Sequence, residues 1–212
     1  MDAADSKARL AARTVEYRQR MAQRRLDLGQ ELGALLGPAL SFTWEIGCGH
    51  GHYLAAYAEA HPDQLCIGID IMGERIERAL RKRDRARLTN LHFIHADARL
   101  FLEVVPAGVA FHRLFILFPD PWPKARHHKH RLMKSEFLAA AAMRATPDVR
   151  LHFRTDYAPY FEEARSIITG HVAWAITPES WPFECGTVFQ ERAAHHYSLS
   201  ACRRTDLAAA IS

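Results

Sequence analysis

One carboxylate and a dense run of cations stand together between residues 118 and 134. The chain there reads Phe118-Pro119-Asp120-Pro121-Trp122-Pro123-Lys124-Ala125-Arg126-His127-His128-Lys129-His130-Arg131, with Lys134 close behind. Proline fixes its own φ, has no N–H, and pushes the residue before it towards an extended conformation. Phe118, Asp120 and Trp122 each precede a proline, so the sequence predicts a stiff, extended backbone around Asp120. A restrained acid followed by Lys124, Arg126, Lys129 and Arg131 suits a site that holds a polyanion beside a reaction centre. The ordinary alternative is a proline-stiffened surface loop with solvated charges. The abrupt exit from an apolar strand over residues 114–118 argues against it.

A second constellation lies at Glu45-Ile46-Gly47-Cys48-Gly49-His50-Gly51-His52. Glycines let a chain turn tightly and approach a ligand. The spacing is G-x-G-x-G, and His52 stands where a dinucleotide fingerprint wants its third glycine, which disfavours a pyrophosphate. A cofactor with an amino-acid head fits better, with Glu45 placed to attract its ammonium group. Asp70 follows at the distance where an acid grips ribose hydroxyls, and Asp97 at a third strand end, where it can accept from an adenine amino group. Asp97, and also Asp70, could instead cap the helix that follows.

Placing these acids on one rim requires a sheet. Apolar runs predict strands over residues 42–46, 65–71, 91–96, 113–118, 149–154, 172–176 and 197–202. Helical stretches lie between them near residues 52–60, 74–88, 99–105, 134–145 and 160–169. Short apolar strands alternating with helices predict an α/β fold: a mostly parallel seven-stranded sheet covered on both faces. The last strand is expected to close the sheet, antiparallel, because no long helix precedes it. In such folds ligands sit at the carboxyl ends of the strands, at the switch point. Ahead of the sheet, residues 7–36 read as a helix with Leu10, Val15, Met21, Leu26, Leu32 and Leu36 spaced for one face. Gly29 weakens that helix and Gly37-Pro38 ends it, which predicts a basic helical extension over residues 1–38 and a second domain over 39–212.

The 212 residues are 49% hydrophobic and 25% charged, enough for one core. The formal charge is only +4, but arginines cluster at Arg18, Arg20, Arg24 and Arg25, along residues 75–87, and after Asp120. That clustering favours nucleic acid as partner. Cys48, Cys66, Cys185 and Cys202 form no C-x-x-C pair, which argues against a zinc knuckle and for a reducing compartment. The expectation is a cytoplasmic protein with no membrane span, as a monomer or a homodimer. His127, His128 and His130 are crowded, but neighbouring lysines and arginines would repel a cation, so no metal is expected.

With Pro119-Asp120-Pro121-Trp122-Pro123-Lys124 and Arg126-His127-His128-Lys129-His130-Arg131 behind the glycine turn, the chain resembles the bacterial tRNA (guanine-N7)-methyltransferase family. Those enzymes are class I, Rossmann-like S-adenosylmethionine-dependent methyltransferases. The resemblance covers residue 42 to the C-terminus. It implies that Glu45, Asp70, Asp97 and Asp120, with the turn of Gly47, Gly49 and Gly51, form the S-adenosylmethionine pocket, and that Asp120 is also the active-site residue. It implies further that Lys124 and Asp156 contact the substrate guanosine, and that Thr187-Val188-Phe189-Gln190 is a late substrate-binding motif. Gln190 stands where the family has Glu, and Ala193-Ala194-His195-His196 where glycines are expected. An amide still hydrogen-bonds but does not attract a guanine N–H as a carboxylate does.

The implied reaction suits these residues. Guanine N7 has an in-plane lone pair and no proton, so attack on a sulfonium methyl needs no general base. Positioning and a fixed carboxylate near the developing cation supply the catalysis. Asp120 fits either stabilising that charge or orienting the guanine. Arg126, Lys129 and Arg131 are expected on tRNA phosphates. Two rivals remain at this stage. One is an amino-group nucleic-acid methyltransferase, whose Asp/Asn-Pro-Pro-aromatic tetrad is loosely like Asp120-Pro121-Trp122-Pro123; the other is a non-catalytic RNA-binding relative.

Overall fold

The computed structural model describes residues 3–37, 41–185 and 195–204. Helix α1 (Ala3–Leu36) leads into β1 (Ser41–Ile46), α2 (His52–Ala60), β2 (Cys66–Asp70), α3 (Gly73–Ala86), β3 (Leu91–His95), α4 (Ala98–Val104) and β4 (Ala110–Leu117). A 3-10 turn (Ala125–His130), α5 (Ser135–Met143), β5 (Ala145–Thr155), α6 (Ala158–Thr169), β6 (Trp174–Thr177) and β7 (Tyr197–Arg203) follow. The seven strands form one sheet in the order β3-β2-β1-β4-β5-β7-β6. β1 pairs in parallel with both β2 and β4, so the switch point lies beside it. The carboxyl rim therefore gathers the loops that carry Gly47 to Gly51, Ile71, Asp97, Asp120 and Asp156.

The α/β, mostly parallel arrangement is as the sequence predicts, with two differences. β7 does not close the sheet. It lies antiparallel between β5 and β6, and β6 is the edge strand. That slot satisfies the backbone groups of β5 and β6 at once, a pairing of distant segments that no local signal announces. β4 and β5 also begin earlier than their apolar runs. Phe111 pairs with Ala145 and Arg113 with Arg150, so Thr146-Pro147-Asp148, which reads as a turn, is an irregularity within a longer strand.

Two apolar layers cover the sheet. On one face Leu28, Leu32 and Leu36 of α1 join residues of α4, α5 and α6 over Phe42, Trp44 and Phe111. Trp44 stacks on Phe101 at 4.8 Å. On the other face, α2 and α3 bury Tyr53, Tyr57, Ile76 and Ala79 against Phe93 and Phe115. Gly29 does not interrupt α1; a Cβ there would sit 3.9 Å from Val104, so the bare backbone lies close against α4. The second half of α1 thus belongs to the same core as the sheet. Among the described residues no helix is long and apolar enough to cross a membrane.

Leu32 is fully buried in this layer, whereas Val15 on the first half of α1 is exposed. Leu32→Ala is expected to cost about 2–5 kcal/mol of stability, and Val15→Ala within about 0.5 kcal/mol. Urea unfolding of the two variants checks this; equal, small losses would remove α1 from the core.

Candidate active site

The turn after β1 is built from three left-handed glycines, Gly47 (φ 72°), Gly49 (φ 54°) and Gly51 (φ 68°). A side chain at Gly51 would also drive its Cβ to 2.4 Å from the Phe93 ring. At Gly47 and Gly49 a Cβ would meet nothing within 4 Å, so this face of the turn is open. Gly47 N–H and Cys48 N–H both donate to Ile69 O (2.8 and 2.9 Å), and Gly49 N–H donates to Asp70 Oδ2 (3.0 Å). Beneath the turn Glu45 is only 3% exposed, and its Oε2 has no hydrogen-bond partner. Burial, reinforced by the nearby Asp70 charge and opposed by a backbone hydrogen bond from Leu54, pushes the Glu45 carboxyl up to about 8. A buried carboxylate oxygen without a donor is costly, and a cationic donor entering the turn would relieve it.

Asp70 is buried at the end of β2, but both of its oxygens are engaged. Oδ2 accepts from Gly49 and Oδ1 from Met72 N–H (2.8 Å), and Arg75 lies 3.5 Å away. Its evident work is to tie the glycine turn to the start of α3. Asp97 caps α4, accepting from Arg99 N–H (2.9 Å) and Leu100 N–H (3.2 Å) through Oδ1. It also lines a cavity of about 310 Å³, together with Ile71 and Ala96 from the sheet and Met21, Arg24 and Asp27 from α1. Ile71 is 66% exposed there, a large apolar face at the strand end. Sequence reasoning missed this cavity, although the apolar pair Ile71-Met72 directly after Asp70 was a usable signal.

The loop after β4 departs from expectation. Phe118 (φ 47°) and Trp122 (φ 43°) are left-handed rather than extended, although each precedes a proline. Such a backbone costs about 1–3 kcal/mol per residue and persists only where the surroundings dictate it. Phe118 N–H donates to Arg154 O (2.7 Å). Trp122 rests against His130 (5.1 Å) and His127 (5.8 Å) on the 3-10 turn, which places residues three apart on one side. Asp120 is exposed, as are Lys124, Arg126 and Lys129. Arg131 is not, and its expected phosphate contact is corrected here. It is 2% exposed, donates through Nε to Pro121 O (2.7 Å) and through Nη2 to Trp122 O (3.3 Å), and pairs with Glu163. No donor of that guanidinium is left over at the surface.

Asp156 is exposed at the end of β5 and does not cap α6. The capping residue is Tyr157, whose N–H donates to Thr155 Oγ1 (3.2 Å). Thr187 and Gln190 lie outside the described residues. Arg154, unnoticed in the sequence, is buried between Glu184 (2.9 and 3.0 Å) and the Trp181 ring (3.8 Å), and so fixes the segment before them at the rim. His152 is no base: burial, then Arg113 and Arg150, push it down to about 3, and its Nδ1 meets Ser200 Oγ (2.9 Å). Among the described residues no three His, Cys, Asp or Glu are placed to hold a metal.

Residues 40–196 match the model of a family described as "Putative methyltransferase". A curated tRNA (guanine-N(7)-)-methyltransferase of Streptomyces coelicolor is 37% identical over 141 residues, which covers 66% of this chain and 52% of that protein. One of Hyphomonas neptunium is 35% identical over 154 residues, covering 71% and 70%. The chain spans about half the length of the Streptomyces relatives it matches. In fold it is similar to a precorrin-6y C5,15-methyltransferase of Geobacter metallireducens (TM-score 0.55, 13% identity, 85% of this chain and 86% of that one). It is also similar to TrmN of Thermus thermophilus (TM-score 0.57, 16% identity, 83% and 48%).

Glu45 gives the ligand-free protein a pH signature. Between its ordinary 4.5 and about 8 the folded chain keeps a proton that the unfolded chain has released. Stability therefore falls as pH rises through that window. Glu45→Gln should flatten the fall relative to wild type, as read from urea midpoints between pH 4.5 and 8. A variant with the wild-type slope would contradict the assignment.

Proposed function

We propose, since the chain belongs to the methyltransferase family whose model it matches over residues 40–196, that it transfers the methyl group of S-adenosylmethionine to N7 of the variable-loop guanine of tRNA. The observation that carries this reading is the buried, unpartnered Glu45 oxygen beneath three left-handed glycines. It is the place for an ammonium group at the switch point of a parallel sheet. The names of the relatives, among them those at 37% and 35% identity, supply the substrate class.

S-adenosylmethionine supplies an electrophilic sulfonium methyl. Glu45 would take its ammonium group, Gly47 and Gly49 would let the backbone close on its amino-acid head, and Asp70 would hold that turn in shape. Ile71, Ala96 and Asp97 would receive the nucleoside end, with Met21 and Arg24 of α1 as the outer wall. Asp120, at the end of β4, would face the transfer from the other side. Transfer of that methyl to N7 would leave positive charge on the guanine and would call on no side chain to move a proton. A carboxylate held beside the base stabilises that arriving charge. Asp156, exposed at the neighbouring strand end, would take the guanosine N–H groups, joined by Thr187 and Gln190, while Lys124 would donate to a guanosine oxygen.

Lys124, Arg126 and Lys129 stand exposed on one turn and would meet tRNA phosphates, which gives affinity without reading sequence. The setting proposed is the cytoplasm. Transfer of tritiated methyl to unmodified tRNA, followed by borohydride and aniline cleavage at the product, tests the assignment. Label in an exocyclic amine would favour the amino-group alternative, and no label would favour the inert one. Asp120→Ala should lower kcat by about 100-fold or more with cofactor affinity nearly unchanged by calorimetry; a dominant loss of cofactor binding would reassign Asp120.

A further inference from the structure

We infer that Arg131 is the positioning residue that presets Asp120, acting through the backbone carbonyls of Pro121 and Trp122. The inference rests on Asp120 being the active-site acid and adds what holds it there. Asp120 has a proline on each side, and the residues two before and two after it are both left-handed. Left alone, that backbone would relax, because neither Phe118 nor Trp122 favours a positive φ. Arg131 opposes the relaxation from ten residues downstream. Its Nε–H holds the Pro121 carbonyl and its Nη2–H the Trp122 carbonyl, which fixes the two peptide planes on either side of Trp122, starting one residue after the acid.

The clamp is itself anchored. Glu163 on α6 pairs with the third arm of the guanidinium and also accepts from Lys134 Nζ (2.6 Å). The guanidinium lies 4.9 Å over the Tyr160 ring, and Tyr160 Oη accepts from Met133 N–H (3.1 Å). Asp120 is thereby referred to α6, an element packed in the core, rather than to its own loop. Only a planar fork serves this arrangement. An ammonium group on a flexible stem can reach one carbonyl but cannot span two carbonyls and a carboxylate in fixed directions.

Arg131→Lys keeps the charge and removes the fork. Two measurements on this variant test the inference. In hydrogen exchange of the full chain, the hydrogen-bonded loop amides of Phe118, His127 and Arg131 should exchange more than tenfold faster, while β4 and α6 keep their protection. In tRNA methylation, kcat should fall at least 30-fold, with KM for tRNA and affinity for S-adenosylhomocysteine within about threefold of wild type. Placed in the Asp120→Ala background, the same substitution should lower kcat no further, because Arg131 acts only through Asp120.

If Arg131→Lys leaves loop exchange unchanged, the clamp is overturned. If exchange quickens but kcat holds, or the two substitutions add, the clamp braces the fold and positions nothing. Should the lysine variant fold poorly, Arg131→Ala with added guanidinium replaces it, and recovery of kcat without a change in KM is the supporting result. A wild-type protein inactive on tRNA would remove the functional reading and with it the role of Arg131, while loop exchange would still report on the clamp.

Discussion

A carboxyl oxygen buried without a donor, Oε2 of Glu45, is the constraint around which this molecule is arranged. Glu45 reaches that position because β1 is central, flanked by parallel neighbours on both sides and covered on both faces. The glycine turn above it must be left-handed at three positions, and only glycine takes those angles cheaply. Asp70 secures the turn to β2 and to the start of α3, so the cradle is preformed while one oxygen of Glu45 goes unsatisfied. Native interiors rarely leave such a group alone unless something is meant to meet it.

The other half of the site is held by strain rather than by burial. Phe118 and Trp122 adopt a backbone that bulky residues avoid, and contacts from Arg154, Arg131 and the 3-10 turn keep them there. The cradle and the strained loop follow strands that lie side by side, β1 and β4, so the glycine turn and Asp120 stand on neighbouring loops of one carboxyl rim. The cationic residues that remain exposed, Lys124, Arg126 and Lys129, follow the acid in the chain.

Much of this was legible in the sequence. Glu45, Asp70, Asp97 and Asp120 are strand-end acids, and alternation of apolar runs with helical stretches places strand ends on one rim. The glycine spacing separates an amino-acid head from a pyrophosphate by local geometry alone. What was hidden depends on tertiary contact. Arg131 sits in a run of cations that reads as a solvated arm, and nothing in that run says which member turns inward. The proline rule applied to Phe118 and Trp122 is a local preference, and the clamp overrides it. Asp97 caps its helix, one of the two roles weighed for it, and also lines the cavity beside Ile71. The slot filled by β7 and the wall supplied by α1 both come from segments far away in sequence.

The most direct test of the central claim is calorimetric titration of S-adenosylhomocysteine into the ligand-free protein at pH 7, repeated in buffers of different ionisation enthalpy. Because Glu45 is protonated below about 8 in the empty cradle and must ionise to hold an ammonium group, binding should release close to one proton, and Glu45→Gln should abolish that release. Absence of binding, or binding whose proton release survives in Glu45→Gln, would contradict the account.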